Sequence, residues 1–215
     1  MLRRFRAFVD SLAEPWFPTL CLRCGRVGPS PCSECSEEFT PAHAIGETPE
    51  LDAVVALVAY DEVSRPFIAD LKFRGKWATV QAFTPAMSFL LDECIGTERP
   101  GPLLTWAPTT PTRVRHRGFD QAEVIARHVA RYSGRPVRRL LDRRPGDHQT
   151  GRSRSERSTG IHFDPRHQVG GAIVVFDDVV TTGSTLSAAA RALRSAGASA
   201  VVGITFAATP SRPKC

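Results

Sequence analysis

From about residue 50 onward, the pattern of hydrophobic and polar positions switches repeatedly between two periods. Uninterrupted apolar runs of strand length alternate with stretches whose apolar residues recur at helical spacing. The predicted strands are residues 53–60, 103–106, 137–141, 172–176 and 200–206. The predicted helices are residues 64–75, 80–91, 120–132 and 185–196, with the second kinked or restarted at Pro85. This alternation predicts a doubly wound α/β fold built on a mainly parallel sheet.

Two stretches between these elements show no apolar period. Residues 107–118 are predicted as a loop that follows the second strand. Residues 142–160 are polar and rich in Arg, Gly and Ser. A stretch of that length without regular structure is usually a lid, a binding loop or a disordered insert in a compact domain. All three alternatives are compatible with the sequence.

The first forty or so residues are predicted to form a separate unit. Apolar residues at the spacing of a short amphipathic helix are Leu2, Phe5, Phe8, Val9 and Leu12. The arginines beside them imitate the basic region of a signal peptide, but acidic residues interrupt what would be its apolar core. No run approaches the roughly 18 apolar residues of a membrane span. We therefore predict a cytoplasmic protein with an N-terminal module (residues 1–45), a linker (41–49) and a larger domain (50–215).

Four of the six cysteines form two Cys-x-x-Cys pairs that are separated by seven residues. They are Cys21, Cys24, Cys32 and Cys35. A gap of two residues lets both thiolates of a pair reach one tetrahedral Zn²⁺. Four thiolates leave no open coordination position, so the spacing predicts a structural rather than a catalytic zinc site. A set of reduced, buried or redox-active cysteines is the alternative.

The segment with the candidate chemistry directly follows the predicted strand 172–176. Its polar residues are Asp177, Asp178, Thr181, Thr182, Gly183, Ser184 and Thr185. A helix N-terminus preceded by glycine offers free backbone N–H groups, and the hydroxyls add donors, so the turn suits a phosphate. The two carboxylates suit the vicinal hydroxyls of an adjoining sugar, with Mg²⁺ bridging ligand oxygens. The segment predicts a ribose-5-phosphate pocket; the alternative is an acidic turn before an ordinarily capped helix.

The positive charge of the chain is concentrated in one region. The whole chain carries a formal net charge of +6, from 28 basic and 22 acidic residues. Residues 111–166 alone hold fourteen arginines against six acidic residues. A solvated basic surface, a polyanionic small ligand and a nucleic-acid backbone are the three interpretations. The region has few aromatic residues for stacking bases (Phe119, Tyr132 and Phe163), which favours a phosphate ligand over independent strand binding.

The string of residues 173–186 closely resembles the phosphoribosyl-diphosphate (PRPP) motif of type I phosphoribosyltransferases. Two other blocks are similar to those of the ComF family, which comprises competence-associated, phosphoribosyltransferase-like proteins with an N-terminal zinc module. They are Leu71-Lys72-Phe73-Arg74-Gly75 and Arg117-Gly118-Phe119-Asp120-Gln121-Ala122. Residues 149–157 also resemble a ComF segment, with Arg152 at a usually apolar position. Residues 106–111 depart from the family, whose Val-Pro-Val-Pro strand end is replaced here.

The resemblance implies a type I phosphoribosyltransferase fold with a three-part site. Asp177 and Asp178 would be its catalytic residues and would hold the ribose. The implied PRPP-binding residues are Thr181, Thr182, Gly183, Ser184 and Thr185 on the 5-phosphate, with Arg113, Arg115 and Arg117 on the pyrophosphate. Residues 143–157 would close over the site as a hood. The implied cofactors are a structural zinc and the Mg²⁺ that accompanies PRPP.

Two classes of function follow from this resemblance. The first is an enzyme that transfers ribose 5-phosphate from PRPP to an unknown acceptor, acting in DNA uptake or processing during natural transformation. The second is a non-catalytic adaptor that senses PRPP or binds single-stranded DNA, with the zinc knuckle docking a partner such as the competence helicase. Purine or pyrimidine salvage shares the PRPP motif but does not predict the zinc knuckle.

Overall fold

The computed structural model describes residues 20–42, 50–73, 77–97, 101–144 and 160–209. The predicted N-terminal helix, most of the predicted linker and most of the 142–160 stretch lie outside the described residues. The helices are α1 (Ser33–Glu37), α2 (Arg65–Phe73), α3 (Trp77–Ile95), α4 (Pro111–Arg117), α5 (Gln121–Ser133) and α6 (Ser184–Ser195). The strands are β1 (Ala53–Ala59), β2 (Leu103–Trp106), β3 (Leu141–Arg143), β4 (Phe163–Pro165), β5 (Ala172–Val180) and β6 (Ala200–Ala208). None of these helices combines the length and the apolar character that crossing a membrane requires.

The central sheet has four strands in the order β1-β6-β5-β2, and every pairing in it is parallel. Val174 of β5 pairs with Val202 on one side and with Leu104 on the other. Strands β3 and β4 form a separate antiparallel pair, in which Arg143 lies opposite Phe163. Because the central strands are parallel, their carboxyl ends meet at one edge of the sheet.

Both faces of the sheet are covered, as the apolar run of β5 requires. Ile173 and Val175 belong to a core that includes α6 and the β3–β4 pair. Val174 and Phe176 point to the opposite face, into a core that includes α2, α3 and α5. A strand that buries both sets of side chains needs a layer on each side, which is the arrangement of a doubly wound α/β fold. The predicted fold class is therefore confirmed.

Two local predictions were wrong, and a third is narrowed. Residues 107–118, predicted as a loop, contain the polar helix α4, which Thr110 caps at its start and Gly118 ends in the left-handed conformation. The predicted strand 137–141 is reduced to an isolated bridge between Val137 and Leu104, and β3 begins only at Leu141. Helix α3 continues through Pro85 without a restart, so a kink at Pro85 is the alternative that stays a prediction.

The cysteine-bearing segment packs onto the larger core through Phe39. The Phe39 ring lies 5.3 Å from the ring of Phe67 and 5.4 Å from that of Phe83, measured between centroids. The following residue, Thr40, accepts a hydrogen bond of 2.8 Å from the N–H of Ala59 in β1. These contacts connect the knuckle to the central sheet through one short piece of chain. The proposed division into residues 1–45 and 50–215 stays a prediction.

Candidate functional site

A cavity of about 340 Å³ opens where the carboxyl ends of β2 and β5 meet helices α2, α4 and α5. Ligands of open α/β sheets bind at this edge. The charged and polar residues that line the cavity are Lys72, Thr109, Arg113, Arg117, Asp120, Gln121, Arg143, Asp177, Asp178 and Thr185. Five predicted site residues are among them: Asp177 and Asp178, which we call the Asp pair, and Thr185, Arg113 and Arg117.

Asp177 and Asp178 lie within β5 rather than in a turn after it, because the strand continues to Val180. The Oδ1 atom of Asp177 accepts the N–H of Asp178 (2.8 Å), and Oδ1 of Asp178 accepts the N–H of Val179 (2.7 Å). Burial and the neighbouring charge of Asp178 raise the pKa of Asp177 well above its usual range. A cation or hydroxyl donors bound to the pair would oppose this shift and stabilise the charged form of Asp177.

The turn after β5 starts helix α6 at Gly183, whose φ of 76° is in the left-handed region that favours glycine. Gly183, at the N-cap position, has no side chain that could cap α6, and the Thr182 hydroxyl oxygen accepts the N–H of Ser184 at 3.4 Å. The Thr182 hydroxyl donates to Oγ of Ser184 (3.1 Å), so these two hydroxyls already contact each other. Thr181, Thr182 and Ser184 are exposed at the turn, and Thr185 alone of the four hydroxyl residues lines the cavity itself.

Helix α4 presents arginines to the cavity from the opposite side. Arg113 and Arg117 are four residues apart, which places both on one face of a helix. Arg115 lies two residues from each and therefore points to another face, where it lines a second groove. The three arginines predicted to act together are thus divided, and only Arg113 and Arg117 meet the Asp pair.

Asp120 holds the segment that connects β2 to α5. Its Oδ2 atom accepts the N–H of Thr109 (2.8 Å), and its Oδ1 atom caps α5 by accepting the N–H of Ala122 (3.1 Å). Burial raises the pKa of Asp120, although these backbone donors oppose the shift. Asp120 thereby connects the start of the segment that carries Arg113 and Arg117 to the first turn of α5.

Arg143 enters the cavity from β3. Its guanidinium lies 5.6 Å from the centroid of the Phe163 ring and donates to the carbonyl of Pro108 at 3.4 Å. Burial and the charge of Arg113 lower its pKa. A partly desolvated guanidinium that faces the Asp pair is well placed for an anionic ligand.

The four predicted zinc ligands converge at one point. The Sγ atoms of Cys21, Cys24, Cys32 and Cys35 all lie within 4.8 Å of one another, and those of Cys24 and Cys32 are 3.8 Å apart. A tetrahedron of thiolates around Zn²⁺, with Zn–S bonds of about 2.3 Å, has S···S edges of about 3.8 Å. The cluster can therefore hold a structural zinc.

The backbone around the cluster supports thiolate formation. Burial raises the pKa of Cys21, but N–H groups of Cys24, Cys32 and Arg23 donate to its sulfur and lower the pKa overall, to about 6. Such donors to the sulfur are typical of the outer shell of metal sites. Burial raises the pKa of Cys35, and a bound cation would oppose that shift.

Comparison with known proteins finds a similarity to a competence protein. No protein-family model matches the chain. Over 150 residues the chain is 29% identical to the competence protein ComFC of Bacillus subtilis (strain 168), covering 68% of this chain and 60% of that protein. The chain is thus similar in sequence to ComFC. The match confirms the resemblance to the ComF family. The matched part of the chain spans less than two thirds of the length of ComFC.

Among solved structures, the chain resembles adenine phosphoribosyltransferase from Leishmania tarentolae with a TM-score of 0.39 and 14% sequence identity. The superposition covers 77% of this chain and 94% of that one. The parallel sheet and its two cores, rather than this likeness, define the fold.

The blocks that resemble the ComF family supply cavity residues that the sequence left without a role. Lys72 comes from the first block, and Asp120 and Gln121 come from the second. Gln121 connects them, because its Nε2 donates to the carbonyl of Lys72 (3.3 Å) and its Oε1 accepts from Arg117 (3.2 Å). The sequence signal that could have identified these three residues is their position inside the two blocks that resemble the ComF family.

A second groove, of about 660 Å³, lies on the other side of the segment held by Asp120. Its lining includes four arginines: Arg115, Arg127, Arg131 and Arg139. Apolar side chains also contribute, and the Arg127 guanidinium lies 5.1 Å from the ring centroid of the buried Trp106. We call this surface the arginine groove.

Proposed function

We propose that the protein binds PRPP with Mg²⁺ in the cavity of the Asp pair, and that it acts in DNA uptake or processing during natural transformation. One observation carries the ligand assignment: groups of opposite character meet in one cavity. Asp177 and Asp178 come from β5, Thr185 comes from the turn after it, and Arg113 and Arg117 face them from α4. The competence role is proposed from the similarity to ComFC.

Each part of PRPP has a matching part of the site. The 5-phosphate would bind N–H groups of the first turn of α6, beside the Thr185 hydroxyl. The 2- and 3-hydroxyls of the ribose would donate to Asp177 and Asp178. The pyrophosphate would contact Arg113 and Arg117, whose forked guanidinium groups bind phosphate oxygens in pairs. Mg²⁺, held by the two carboxylates, would neutralise part of the pyrophosphate charge.

The same arrangement suits transfer of the ribose 5-phosphate to an acceptor. Breaking the bond between C1 and the pyrophosphate oxygen leaves positive charge on the sugar and negative charge on the leaving group. The guanidinium groups of Arg113, Arg117 and Arg143 would stabilise that leaving charge, while the carboxylates keep the sugar fixed. The acceptor would bond to C1 and pyrophosphate would depart.

Titration calorimetry tests the ligand assignment directly. We expect the wild-type chain to bind about one PRPP in the presence of Mg²⁺, with affinity reduced at least about tenfold when Mg²⁺ is left out of the buffer, because the Asp pair repels the uncompensated diphosphate. Absence of PRPP binding under both conditions would contradict the proposal. Release of pyrophosphate over a panel of purine and pyrimidine bases would then separate an enzyme from a PRPP-sensing module.

The arginine groove favours a second function, that of a single-stranded-DNA-binding adaptor. Its four guanidinium groups line a groove that apolar side chains also border, and Arg127 is paired with Glu123 at its edge. Guanidinium groups along a groove attract a phosphate backbone, and binding of that kind weakens as salt rises because the release of counterions becomes less favourable.

Changing Arg115 and Arg131 together to glutamine should weaken binding of a single-stranded oligothymidine. The slope of log affinity against log salt should fall by about 1.4, at about 0.7 for each phosphate that is no longer neutralised. The affinity for PRPP should stay within about twofold, because neither arginine lines the cavity of the Asp pair. The control is Arg191→Gln. Arg191 is an exposed arginine on α6 that pairs with Glu50, and it lines neither the cavity nor the arginine groove. An unchanged salt slope in the double variant would contradict strand binding by this groove.

A further inference from the structure

Lys72 occupies a fixed position between the two halves of the cavity. It lies at the end of α2, where the neighbouring Ile68 and Leu71 are buried in the core. Its carbonyl accepts the Nε2–H of Gln121 at 3.3 Å, so its backbone is held from the side of α5 as well. The ammonium group is therefore directed from a rigid support into the cavity that it lines.

The ammonium group contacts the ribose side of the site. Its Nζ lies 3.3 Å from Oδ2 of Asp178, and both side chains remain partly exposed to the cavity. An ammonium carries three N–H donors, and one contact with Asp178 uses only one of them. The carboxylate thus positions the charge of Lys72 without consuming its capacity to bind an anion.

The other side of Lys72 faces the arginines. Gln121, which holds the Lys72 carbonyl, also accepts a hydrogen bond of 3.2 Å from Nη1 of Arg117. A single polar connection therefore extends from Asp178 through Lys72 and Gln121 to Arg117. Lys72 also lines the same cavity as Asp178, Arg113 and Arg117, so its compact positive charge shares one space with the ribose carboxylates and the pyrophosphate-side guanidinium groups.

We propose that Lys72 is a specificity-determining residue that keeps its contact with Asp178 and donates to the pyrophosphate of PRPP, so that the site prefers PRPP over ribose 5-phosphate. This inference rests on the proposed function. A lysine suits the role because its ammonium is a compact point charge with rotatable donors, whereas the arginines contribute planar pairs of donors. The carboxylates and the turn at Gly183 are shared by both ligands, but only PRPP has a group on C1 for Lys72 to bind.

The test compares two ligands across two variants. Lys72→Met keeps most of the side chain and removes the charge, and Lys72→Arg keeps the charge. Calorimetry in Mg²⁺ should show PRPP affinity reduced about 10- to 100-fold in Lys72→Met, the range expected when one charge-assisted hydrogen bond is removed. The affinity for ribose 5-phosphate should stay within about twofold. Lys72→Arg should recover most of the PRPP affinity.

Three outcomes would overturn the inference. Unchanged PRPP affinity in Lys72→Met shows that the ammonium does not bind the ligand. An equal loss for both ligands shows that Lys72 acts only by positioning Asp178. A wild-type chain that binds no PRPP removes the proposed function itself, and the wild-type titration identifies this case before any variant is used. Lys72→Gln repeats the comparison if the Met variant unfolds at a lower temperature than the wild type.

Discussion

Replacing Cys35 with serine should release the zinc and lower the midpoint of thermal unfolding by about 6–12 °C. Cys35 is buried in the cluster, and a serine hydroxyl is a poor replacement for a thiolate ligand. A knuckle without its metal would no longer hold Phe39 against Phe67 and Phe83. Losing the packing of the partly buried Phe39 costs about 3 kcal/mol, the low end of the range for truncating a large aromatic side chain, and each kcal/mol shifts the midpoint by about 2–4 °C in a chain of this size.

Cys94→Ser is the matched control. Cys94 lies in α3, outside the cluster, and is only partly buried. This variant should retain about one zinc per chain, the stoichiometry of one tetrahedral site. Metal analysis and a thermal scan of both variants check the prediction. Freshly purified wild-type protein with less than about half an equivalent of zinc would count against a tetrathiolate zinc site.

The sheet could be predicted because a strand that is buried on both faces has a nearly continuous run of apolar residues. Strand β5 begins with a continuous apolar run, and alternate residues of that run enter different cores. Only a covered parallel strand tolerates this pattern. Helix α5 could be predicted for a similar reason: its apolar residues recur at helical spacing, and Asp120 and Gly134 mark its ends.

Helix α4 could not be predicted from periodicity because it buries no residue. Its signals are local ones: Thr110 accepts the N–H of Arg113, proline occupies the first turn, and Gly118 ends the helix. Strand β3 also lacks an apolar period, since it has only three residues, of which Leu141 alone is buried. Short polar elements are fixed by capping and by partners that are distant in sequence, and neither leaves a repeating pattern.

The same reasoning explains which site residues the sequence located. Asp177, Asp178 and Thr185 are neighbours in sequence, so one segment was enough to bring them together. The grouping of Arg115 with Arg113 and Arg117 was a prediction made for a loop, and the helix separates them by face. Lys72 reaches Asp178 only through the packing of α2 against the sheet, a tertiary contact that no local pattern contains.

The double variant Asp177→Asn with Gly183→Val should bind no detectable PRPP. The asparagine removes a charged acceptor for the ribose hydroxyls and for Mg²⁺. Valine at Gly183 places a β-branched side chain at a φ of 76°, a conformation that costs an L-residue about 1–2 kcal/mol, and crowds the turn where the 5-phosphate would bind. Each charge-assisted hydrogen bond is worth about 1.5–3 kcal/mol, so removing two or more exceeds the range of an ordinary titration.

Gly134→Val separates loss of the site from loss of stability. Gly134 ends α5 at a φ of 66°, so valine there meets nearly the same backbone strain, and Gly134 does not line the cavity. This control should unfold at a lower temperature than the wild type and still bind PRPP within about twofold of its affinity, because strain at a remote helix end leaves the ligand-binding groups in place. If the double variant instead bound PRPP as tightly as the wild type, the Asp pair and the Gly183 turn could not form the ribose-phosphate site, whatever the cavity binds.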